Sequence, residues 1–206
     1  MSEADEARAR QLAVADATGW FEKLYTEAAE GKTGVPWDRG APHPLFAEWA
    51  ADLSGTGKRA LVVGCGYGMD SEFIAARGFD TVAFDISPTA VRTVRERFPD
   101  SSVEYLVADL FDPQAEWHRS FDLVVEILTV QALPVPLHLR ATAAVSRFVA
   151  PGGQLLAIGA LQTDPPFEGP PWPLTQAEID SFAVDGLTPV GLERLNGRWR
   201  AEFTRE

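Results

Sequence analysis

Three glycines and one carboxylate have the types and spacing that bind a nucleoside. Gly64, Gly66 and Gly68 follow residues 60–63, an apolar and β-branched run that predicts a strand buried on both faces. Glycine allows the backbone to turn tightly and to approach a ligand closely. About twenty residues further on, Asp85 ends a second apolar run, where a carboxylate can accept both ribose hydroxyls. The sequence therefore predicts a strand, a glycine turn, a helix and a strand that together bind a nucleoside cofactor.

The spacing of the glycines distinguishes between two kinds of cofactor. The nicotinamide fingerprint GxGxxG places its last glycine inside the helix, but Met69 occupies that position here, and the pattern is GxGxG. A nicotinamide dehydrogenase is therefore the least favoured of the three classes of protein considered for this sequence. The GxGxG turn resembles motif I of the class I methyltransferases, which use S-adenosylmethionine and release S-adenosylhomocysteine.

The resemblance to class I methyltransferases implies which residues contact the cofactor. In that family the glycine loop passes the methionine moiety, and the acid after the second strand holds the ribose. Asp70 is expected either to pair with the α-ammonium group or to stabilise the start of the helix. Asp109 is expected to accept the adenine amino group, unless it is only a surface turn acid. The other implied contacts are Gly64, Cys65, Gly66, Gly68, Asp85, Ile86, Leu110 and Glu126.

Three further stretches resemble the branch that contains thiopurine S-methyltransferase and the halide/thiol methyltransferases. Residues 36–40, PWDRG, look like the PWDxG element whose tryptophan covers the cofactor, although Trp37 could equally be an anchoring core residue. Residues 122–134, DLVVEILTVQALP, are similar to the segment after the fourth strand. Residues 169–172, GPPW, look like the loop over the substrate. We therefore expect substrate contacts from Trp37, His43, Ile127, Leu128, Phe167 and Trp172.

This sequence differs from that branch at positions that bear on the identity of the methyl acceptor. Halide/thiol members carry an acid, a tyrosine and a threonine where this chain has Glu126, Ile127 and Leu128. Loss of the tyrosine removes a polar contact near the transferred methyl group and puts halide activity in doubt. Glu126 is expected to orient the cofactor, to act as a catalytic base, or to be a structural carboxylate.

Candidate acid–base groups are few, which suits methyl transfer to a soft nucleophile. Such a transfer is an in-line displacement that needs no metal and no strong acid, and a thiol is already partly ionised near neutral pH. His43 is the candidate catalytic base for a harder phenol or amine, whereas His118 and His138 are predicted to lie on the surface. We therefore expect a small-molecule thiol or related acceptor. Small-molecule O- or N-methylation and a non-catalytic S-adenosylmethionine-binding regulator are the alternatives.

The elements around these residues predict an α/β fold, the Rossmann-like sandwich of class I methyltransferases. Strands are predicted to alternate with helices, including a helix at 136–149 and a turn at 151–153 that leads into a fifth strand at 154–160. The Asn196-Gly197 dipeptide predicts a terminal hairpin. In this fold the hairpin inserts an antiparallel strand into an otherwise parallel seven-stranded sheet, with helices on both faces.

Two segments are predicted to cover the site. Residues 3–30 predict a helix interrupted near Gly19, whose apolar stripe makes it either a packing helix or a lid over the cofactor. Residues 161–175 are rich in proline and carry two aromatic side chains, which favours a loop that covers the substrate. We predict a helical cap at 1–34 and a methyltransferase domain at 35–206, within one compact domain overall.

Composition argues against several classes of protein. The net charge of −12 disfavours a nucleic-acid surface, because phosphate binding needs clustered lysine and arginine. No apolar run approaches the length that spans a membrane. Cys65 is the only cysteine, so no internal disulfide can form and a cytoplasmic location is expected. The expected partner is the small-molecule acceptor alone, and the protein is expected to be a monomer or a homodimer.

Overall fold

The computed structural model describes residues 3–13, 16–162 and 169–206. The described strands are β1 Arg59–Val63, β2 Asp80–Asp85, β3 Glu104–Val107, β4 Phe121–Ile127, β5 Val149–Ala160, β6 Leu187–Leu195 and β7 Arg198–Arg205. They form a sheet in the order β3-β2-β1-β4-β5-β7-β6. β7 is antiparallel to both of its neighbours and the other pairs are parallel. The predicted fold class, with its inserted antiparallel strand, is confirmed.

Side-chain caps fix the start of two of the described helices. The described helices are α1 Glu3–Ala13, α2 Trp20–Ala29, α3 Pro44–Trp49, α4 Met69–Ala75, α5 Pro88–Arg97, α6 His138–Ser146 and α7 Gln176–Asp180. Ser87 caps α5, because its side chain accepts the Ala90 amide and Pro88 follows at the first helical position. Thr175 and Glu178 form a capping box at the start of α7.

The sheet buries apolar side chains on both faces, as the continuous apolar character of its strands predicts. In β1, Leu61 and Val63 belong to one core cluster, and Ala60 and Val62 belong to the other. Residues of α6 and α7 complete the first cluster, and residues of α3, α4 and α5 complete the second. This alternation holds the carboxyl ends of the parallel strands in fixed positions.

The predicted start of the fifth strand is wrong. β5 begins at Val149 and runs through the Pro151-Gly152-Gly153 segment, which we expected to be a tight turn. Val149 pairs with Phe121, and the register then shifts so that Gln154 pairs with Leu123. An irregularity of this kind absorbs extra residues without ending the strand, and Gly152 supplies a φ of 76°. The preceding helix is correspondingly shorter than predicted, ending at Ser146.

The predicted surface position of His138 is also wrong, whereas His118 is exposed as predicted. His138 is completely buried at the start of α6. Its Nδ1 lies 2.8 Å from Glu178 Oε1, and its Nε2 lies 2.9 Å from the Leu133 carbonyl oxygen. The side chain therefore ties α6 to α7. Sequence periodicity did not show this contact because the two partners come from distant segments.

The N-terminal helices pack against each other beside the sheet. The break near Gly19 is confirmed, since α1 ends at Ala13 and α2 begins at Trp20. Ala9, Ala13, Trp20 and Leu24 form a separate apolar cluster between the two helices. The division of the chain at residue 34 stays a prediction. In the parts of the chain that the structure describes, none of the helices is long and apolar enough to cross a membrane.

Candidate active site

A cavity of about 470 Å³ lies at the carboxyl ends of the parallel strands. Ligands of open α/β sheets bind at this edge, and the volume lies within the usual range for small-molecule sites. Val63, Asp85, Ile127 and Ala160 border the cavity at the ends of β1, β2, β4 and β5. The sequence-predicted residues that line it are Trp37, His43, Gly64, Cys65, Gly66, Gly68, Asp70, Asp85, Ile86, Asp109, Leu110, Ile127 and Leu128.

The glycine turn after β1 has a conformation and surroundings that exclude other residues. Gly64, Gly66 and Gly68 have φ values of 64°, 51° and 82°, in the left-handed region that side chains disfavour. A Cβ on Gly64 would lie 2.5 Å from Thr129 Oγ1, and a Cβ on Gly66 would lie 2.9 Å from the Tyr25 hydroxyl oxygen. The glycines therefore let other side chains close on the turn as well as letting the backbone approach a ligand.

Asp85 lies at the end of β2 and is only 6% exposed. Its Oδ2 accepts the Gly66 amide at 3.0 Å, and its Oδ1 accepts the Ser87 amide at 3.0 Å. Burial raises the pKa of this carboxyl to about 6, although the amide donors oppose the shift. Each carboxylate oxygen keeps a further lone pair. Asp85 can therefore hold the glycine turn and still accept ribose hydroxyls.

Asp70 has a contact that neither sequence-based alternative included. Its Oδ1 accepts the backbone amide of His43 at 2.7 Å, which fastens the loop before α3 to the start of α4. Burial raises the pKa of Asp70 to about 6, opposed by this hydrogen bond and by Arg39. A cation beside a buried carboxyl favours its ionised form. The site therefore suits an ammonium group, and the chemistry of Asp70 fits an amino-acid moiety of the cofactor.

Asp109 and Leu110 border the cavity just after β3. Asp109 is exposed, and its Oδ1 accepts the Phe111 amide at 2.8 Å. Leu110 is 8% exposed. Asp109 is thus a turn acid that also faces the cavity, so the structure contains the features of both alternatives. Its contact with adenine stays a prediction.

Trp37 belongs to an aromatic cluster that lies over the glycine turn. Its Nε1 donates a hydrogen bond to the Tyr25 hydroxyl at 2.8 Å. Its ring centroid lies 5.9 Å from that of Trp20 and 5.9 Å from that of Tyr25. Trp37 therefore both packs in a core cluster and lines the cavity. The two sequence-based interpretations of this residue are compatible.

Glu22 of α2 fixes this aromatic cluster to the cofactor end of the cavity. Its carboxylate accepts hydrogen bonds from the Ser87 hydroxyl at 2.5 Å, the Thr89 hydroxyl at 2.7 Å and the Thr89 amide at 3.1 Å. Burial acts to raise the pKa of Glu22, but these donors lower it below its usual value. The helix that carries Tyr25 is thereby fastened at the start of α5, two residues beyond Asp85. Sequence reasoning missed Glu22 because its partners are more than sixty residues away.

His43 lines the cavity, and its imidazole ring is buried without a hydrogen-bond partner among the described residues. The residue is 5% exposed, and neither ring nitrogen has a hydrogen-bond partner within the described chain. Burial, together with the charges of Arg39 and Arg198, lowers the pKa of His43 to about 4. The ring is therefore neutral near pH 7. It is a weak base with two polar atoms that a ligand can satisfy.

Glu126 does not line the cavity, unlike its neighbours Ile127 and Leu128. Its Oε1 accepts the amides of Thr129 at 2.7 Å and Val130 at 2.9 Å, which caps the turn after β4. Burial raises the pKa of Glu126 to about 7 despite these donors. These contacts favour the structural carboxylate among the three sequence-based alternatives, because a base must reach the acceptor.

The predicted substrate contacts divide into three groups. Ile127 and Leu128 line the cavity, and Leu128 has a φ of 62°, which is strained for a residue with a side chain. Trp172 is not among the lining residues; it packs against the apolar cluster of α1 and α2, and its amide donates to the Gln131 carbonyl at 2.7 Å. Phe167 lies outside the described residues. Trp172 therefore supports the cover rather than lining the cavity.

Three of the lining residues that the sequence-based set of contacts did not contain bear on the chemistry of the cavity. Tyr25 and Thr129 close on the glycine turn, and Arg198 begins β7. The hairpin register contained a signal for Arg198. The Asn196-Gly197 turn fixes the start of β7, and an antiparallel β7 beside β5 brings Arg198 opposite Ala160, at the carboxyl end of β5.

The comparisons with known proteins agree with this geometry. A family model described as a methyltransferase domain matches residues 60–153. A probable thiol methyltransferase 2 from Arabidopsis thaliana is 28% identical over 185 residues, covering 88% of this chain and 76% of that protein. A ubiquinone biosynthesis O-methyltransferase from Xanthomonas oryzae pv. oryzae is 33% identical over 129 residues, covering 58% of this chain. The chain spans 53%, or about half, of that relative's length.

A solved structure has the same fold. The N-methyltransferase NodS from Bradyrhizobium japonicum, in complex with S-adenosylhomocysteine, superposes with a TM-score of 0.69 at 19% sequence identity. The alignment covers 87% of this chain and 96% of that one. Residues 60–153 match a methyltransferase domain, and the sheet order and the GxGxG turn are those of the class I fold that uses S-adenosylmethionine. Among its relatives it is similar to a probable thiol methyltransferase over most of its length.

Proposed function

We propose that the protein transfers a methyl group from S-adenosylmethionine to the sulfur of a small-molecule thiol or a related soft nucleophile. The observation that carries this proposal is that the histidine of the cavity is a weak base. Among the described lining residues, His43 is the only histidine, and its pKa of about 4 makes it a poor proton acceptor. A thiol ionises without a strong base, whereas a phenol or an amine benefits from one.

The residues of the cavity bind and orient the cofactor and the acceptor, and they exclude water from the site. When bound, S-adenosylmethionine supplies an electrophilic methyl group on a sulfonium. Asp85 offers acceptors for ribose hydroxyls and Asp70 offers a carboxylate for an ammonium group. The faces of Trp37 and Tyr25 stabilise positive charge nearby and keep water from the turn. The chain's contribution is thus positioning and desolvation, which suit an in-line displacement.

Cys65 does not compete as a nucleophile. Burial and the neighbouring Asp85 carboxylate raise the pKa of its thiol well above the usual value. A protonated thiol is a poor nucleophile. The side chain instead occupies the glycine turn, where it packs against one of the two core clusters.

Two relatives bear on the acceptor atom. The similarity to a probable thiol methyltransferase over 88% of this chain supports sulfur. The similarity to a ubiquinone biosynthesis O-methyltransferase covers 58% of this chain. The unpartnered ring nitrogens of His43 favour O-methylation as the second candidate, because a phenol hydroxyl would satisfy one of them.

Binding and turnover measurements test the proposal. Titration calorimetry should show saturable binding of S-adenosylhomocysteine, and absence of binding would contradict the proposal. With S-adenosylmethionine, kcat/KM should be at least tenfold higher for benzenethiol than for phenol. The reverse order would support O-methylation instead. Binding of the cofactor without transfer to thiols, selenols, phenols or amines would indicate a regulator.

A further inference from the structure

Two arginines line the cavity without an acidic partner. Arg39 lies in the loop before α3, and Arg198 is the first residue of β7. Neither forms an ion pair within 4.0 Å among the described residues. Among the described residues, the side chain of Arg198 makes one hydrogen bond, a long one of 3.5 Å to the carbonyl of its neighbour Gly197. Such a pair is unexpected in a chain with a net charge of −12.

Both guanidinium groups belong to residues that line the same cavity, where Arg39 is exposed and Arg198 is half-buried. The pKa of Arg198 is lowered, first by burial and then by the charge of Arg39. Both charges also lower the pKa of His43, so they converge on the same part of the cavity. Arg39 also acts on Asp70, but that carboxylate is turned towards the His43 amide. An anion placed between the two arginines would relieve the repulsion and use their hydrogen-bond donors.

The topology places Arg198 away from the cofactor carboxylates. Arg198 pairs with Ala160, and Ala160 also lines the cavity. In the sheet order, β5 and β7 lie on one side of β1, whereas β2 and β3, which end at Asp85 and just before Asp109, lie on the other. Arg198 is therefore on the half of the cavity that the nucleoside does not need, where an acceptor has room.

We propose that the methyl acceptor carries a carboxylate, which Arg198 binds together with Arg39. This inference rests on the proposed methyl transfer to a small molecule and defines the class of that molecule as an acidic thiol. A guanidinium group is planar, stays charged and matches the two oxygens of a carboxylate. The buried and neutral His43 lies beside the arginines, so it can donate a hydrogen bond to the same group.

The cofactor contains a carboxylate of its own, in its methionine moiety. Arg39 acts on Asp70 at the amino-acid end of the cavity. The arginines could therefore bind the carboxylate of the cofactor instead of that of the acceptor, and a separate measurement is needed to distinguish the two. 5′-Methylthioadenosine shares the adenosine and sulfur of the cofactor but lacks the amino-acid carboxylate. Comparing its affinity with that of S-adenosylhomocysteine separates the two sources.

The test compares 2-mercaptobenzoate with benzenethiol as acceptors. In the wild-type protein kcat/KM should be higher for the acid. Arg198→Gln should lower kcat/KM for 2-mercaptobenzoate by about 10- to 100-fold, the usual loss for a hydrogen bond to a charged group, and for benzenethiol by less than threefold. Arg39→Gln should act in the same direction, and Arg198→Lys should restore part of the loss. Arg194→Gln removes a charge from the same hairpin outside the cavity and should change neither value.

Three results would overturn the inference. The first is an equal loss for both thiols, because the arginines would then act on the sulfur itself. The second is weaker binding of S-adenosylhomocysteine by Arg198→Gln with unchanged binding of 5′-methylthioadenosine, which would assign the pair to the cofactor. The third is a wild-type protein with no preference for the acid.

Failure of thiol methylation would be distinguishable from failure of this inference. If no thiol is methylated, calorimetry on the complex with S-adenosylhomocysteine should still show benzoate binding that benzamide does not reproduce and that Arg198→Gln abolishes. That result would support a carboxylate-binding site and would contradict the proposal that the acceptor is a thiol. Absence of benzoate binding would overturn the inference as well.

Discussion

Three buried carboxyl groups near the cavity share a raised pKa for the same reason and differ in their contacts. Burial raises the pKa of Asp70, Asp85 and Glu126. Asp70 and Asp85 face the cavity, where a cation or hydroxyl groups can compensate their charge. Glu126 is turned into the protein and has only backbone amides for partners. At the scale of single residues, orientation separates carboxylates that can bind a ligand from one that holds the fold.

Glu126→Gln should stabilise the protein in a pH-dependent way. The folded pKa of about 7 lies above the ordinary value of 4.5, so the folded state binds more protons between these values, and stability falls as pH rises through this window. Glutamine keeps the oxygen that accepts both amides and removes this cost. At pH 8 the free energy of unfolding should increase by about 2 kcal/mol, with little change at pH 4.5.

Urea denaturation at both pH values measures this effect. Glu104→Gln, on an exposed position of β3, is the control and should show no such pH dependence. The variant should also methylate its acceptor at near wild-type rates. A loss of kcat above 100-fold with normal cofactor binding would instead assign Glu126 the role of a base.

At the scale of elements, α2 borders the cavity, holds Tyr25 against Trp37 and is attached to α5 by Glu22. Three of the hydrogen bonds that Glu22 accepts come from Ser87 and Thr89, just beyond Asp85. This attachment links the packing of the N-terminal helices to the cofactor end of the cavity. It also offers a way to decide whether α2 is a lid or only a packing helix.

Glu22→Ala should weaken both the fold and cofactor binding. The Glu22 carboxylate accepts four hydrogen bonds, and its removal leaves these donors without that partner, so the free energy of unfolding should fall by about 2–3 kcal/mol. If α2 is a lid, the Kd for S-adenosylhomocysteine should rise at least tenfold in calorimetry. Glu30→Ala, an exposed change at the end of the same helix, is the control. A stability loss with unchanged Kd would make α2 a packing helix.

At the scale of the whole molecule, the cavity joins segments from most of the chain. Its walls come from α1, α2, the Trp37 loop, the ends of five strands and the Pro170-Pro171 segment. A ligand that contacts so many segments binds only the folded state. Its binding energy therefore adds to the stability of the entire domain.

S-adenosylhomocysteine should raise the unfolding temperature of the protein. At a ligand concentration of about 100 times Kd the gain is about 2.7 kcal/mol, which corresponds to roughly 5–11 °C for a domain of this size. Thermal denaturation followed by fluorescence measures the shift. NADH at the same concentration should produce none, and a larger shift with NADH than with S-adenosylhomocysteine would reverse the choice of cofactor.

Local sequence signals determined the framework of the fold and the cofactor end of the site. The apolar runs, the glycine triplet, the Ser87-Pro88 cap, the capping box and the Asn196-Gly197 hairpin act over a few residues, so their consequences can be predicted from neighbours in the chain. Placing Asp85 and Asp109 at strand ends then follows from the geometry of parallel sheets. These residues lie in the structure where the sequence predicted them.

Only the tertiary structure decided the contacts that join distant segments. It buried His138 against Glu178, turned Glu126 away from the cavity, attached Glu22 to Thr89 and placed Arg39 and Arg198 in the lining of one cavity. Side-chain direction and burial depend on which elements pack against one another, and periodicity within one segment carries no information about partners in another. The chain's local patterns thus identify the methyl donor, whereas the two arginines that we propose for the acceptor are brought to the cavity by packing.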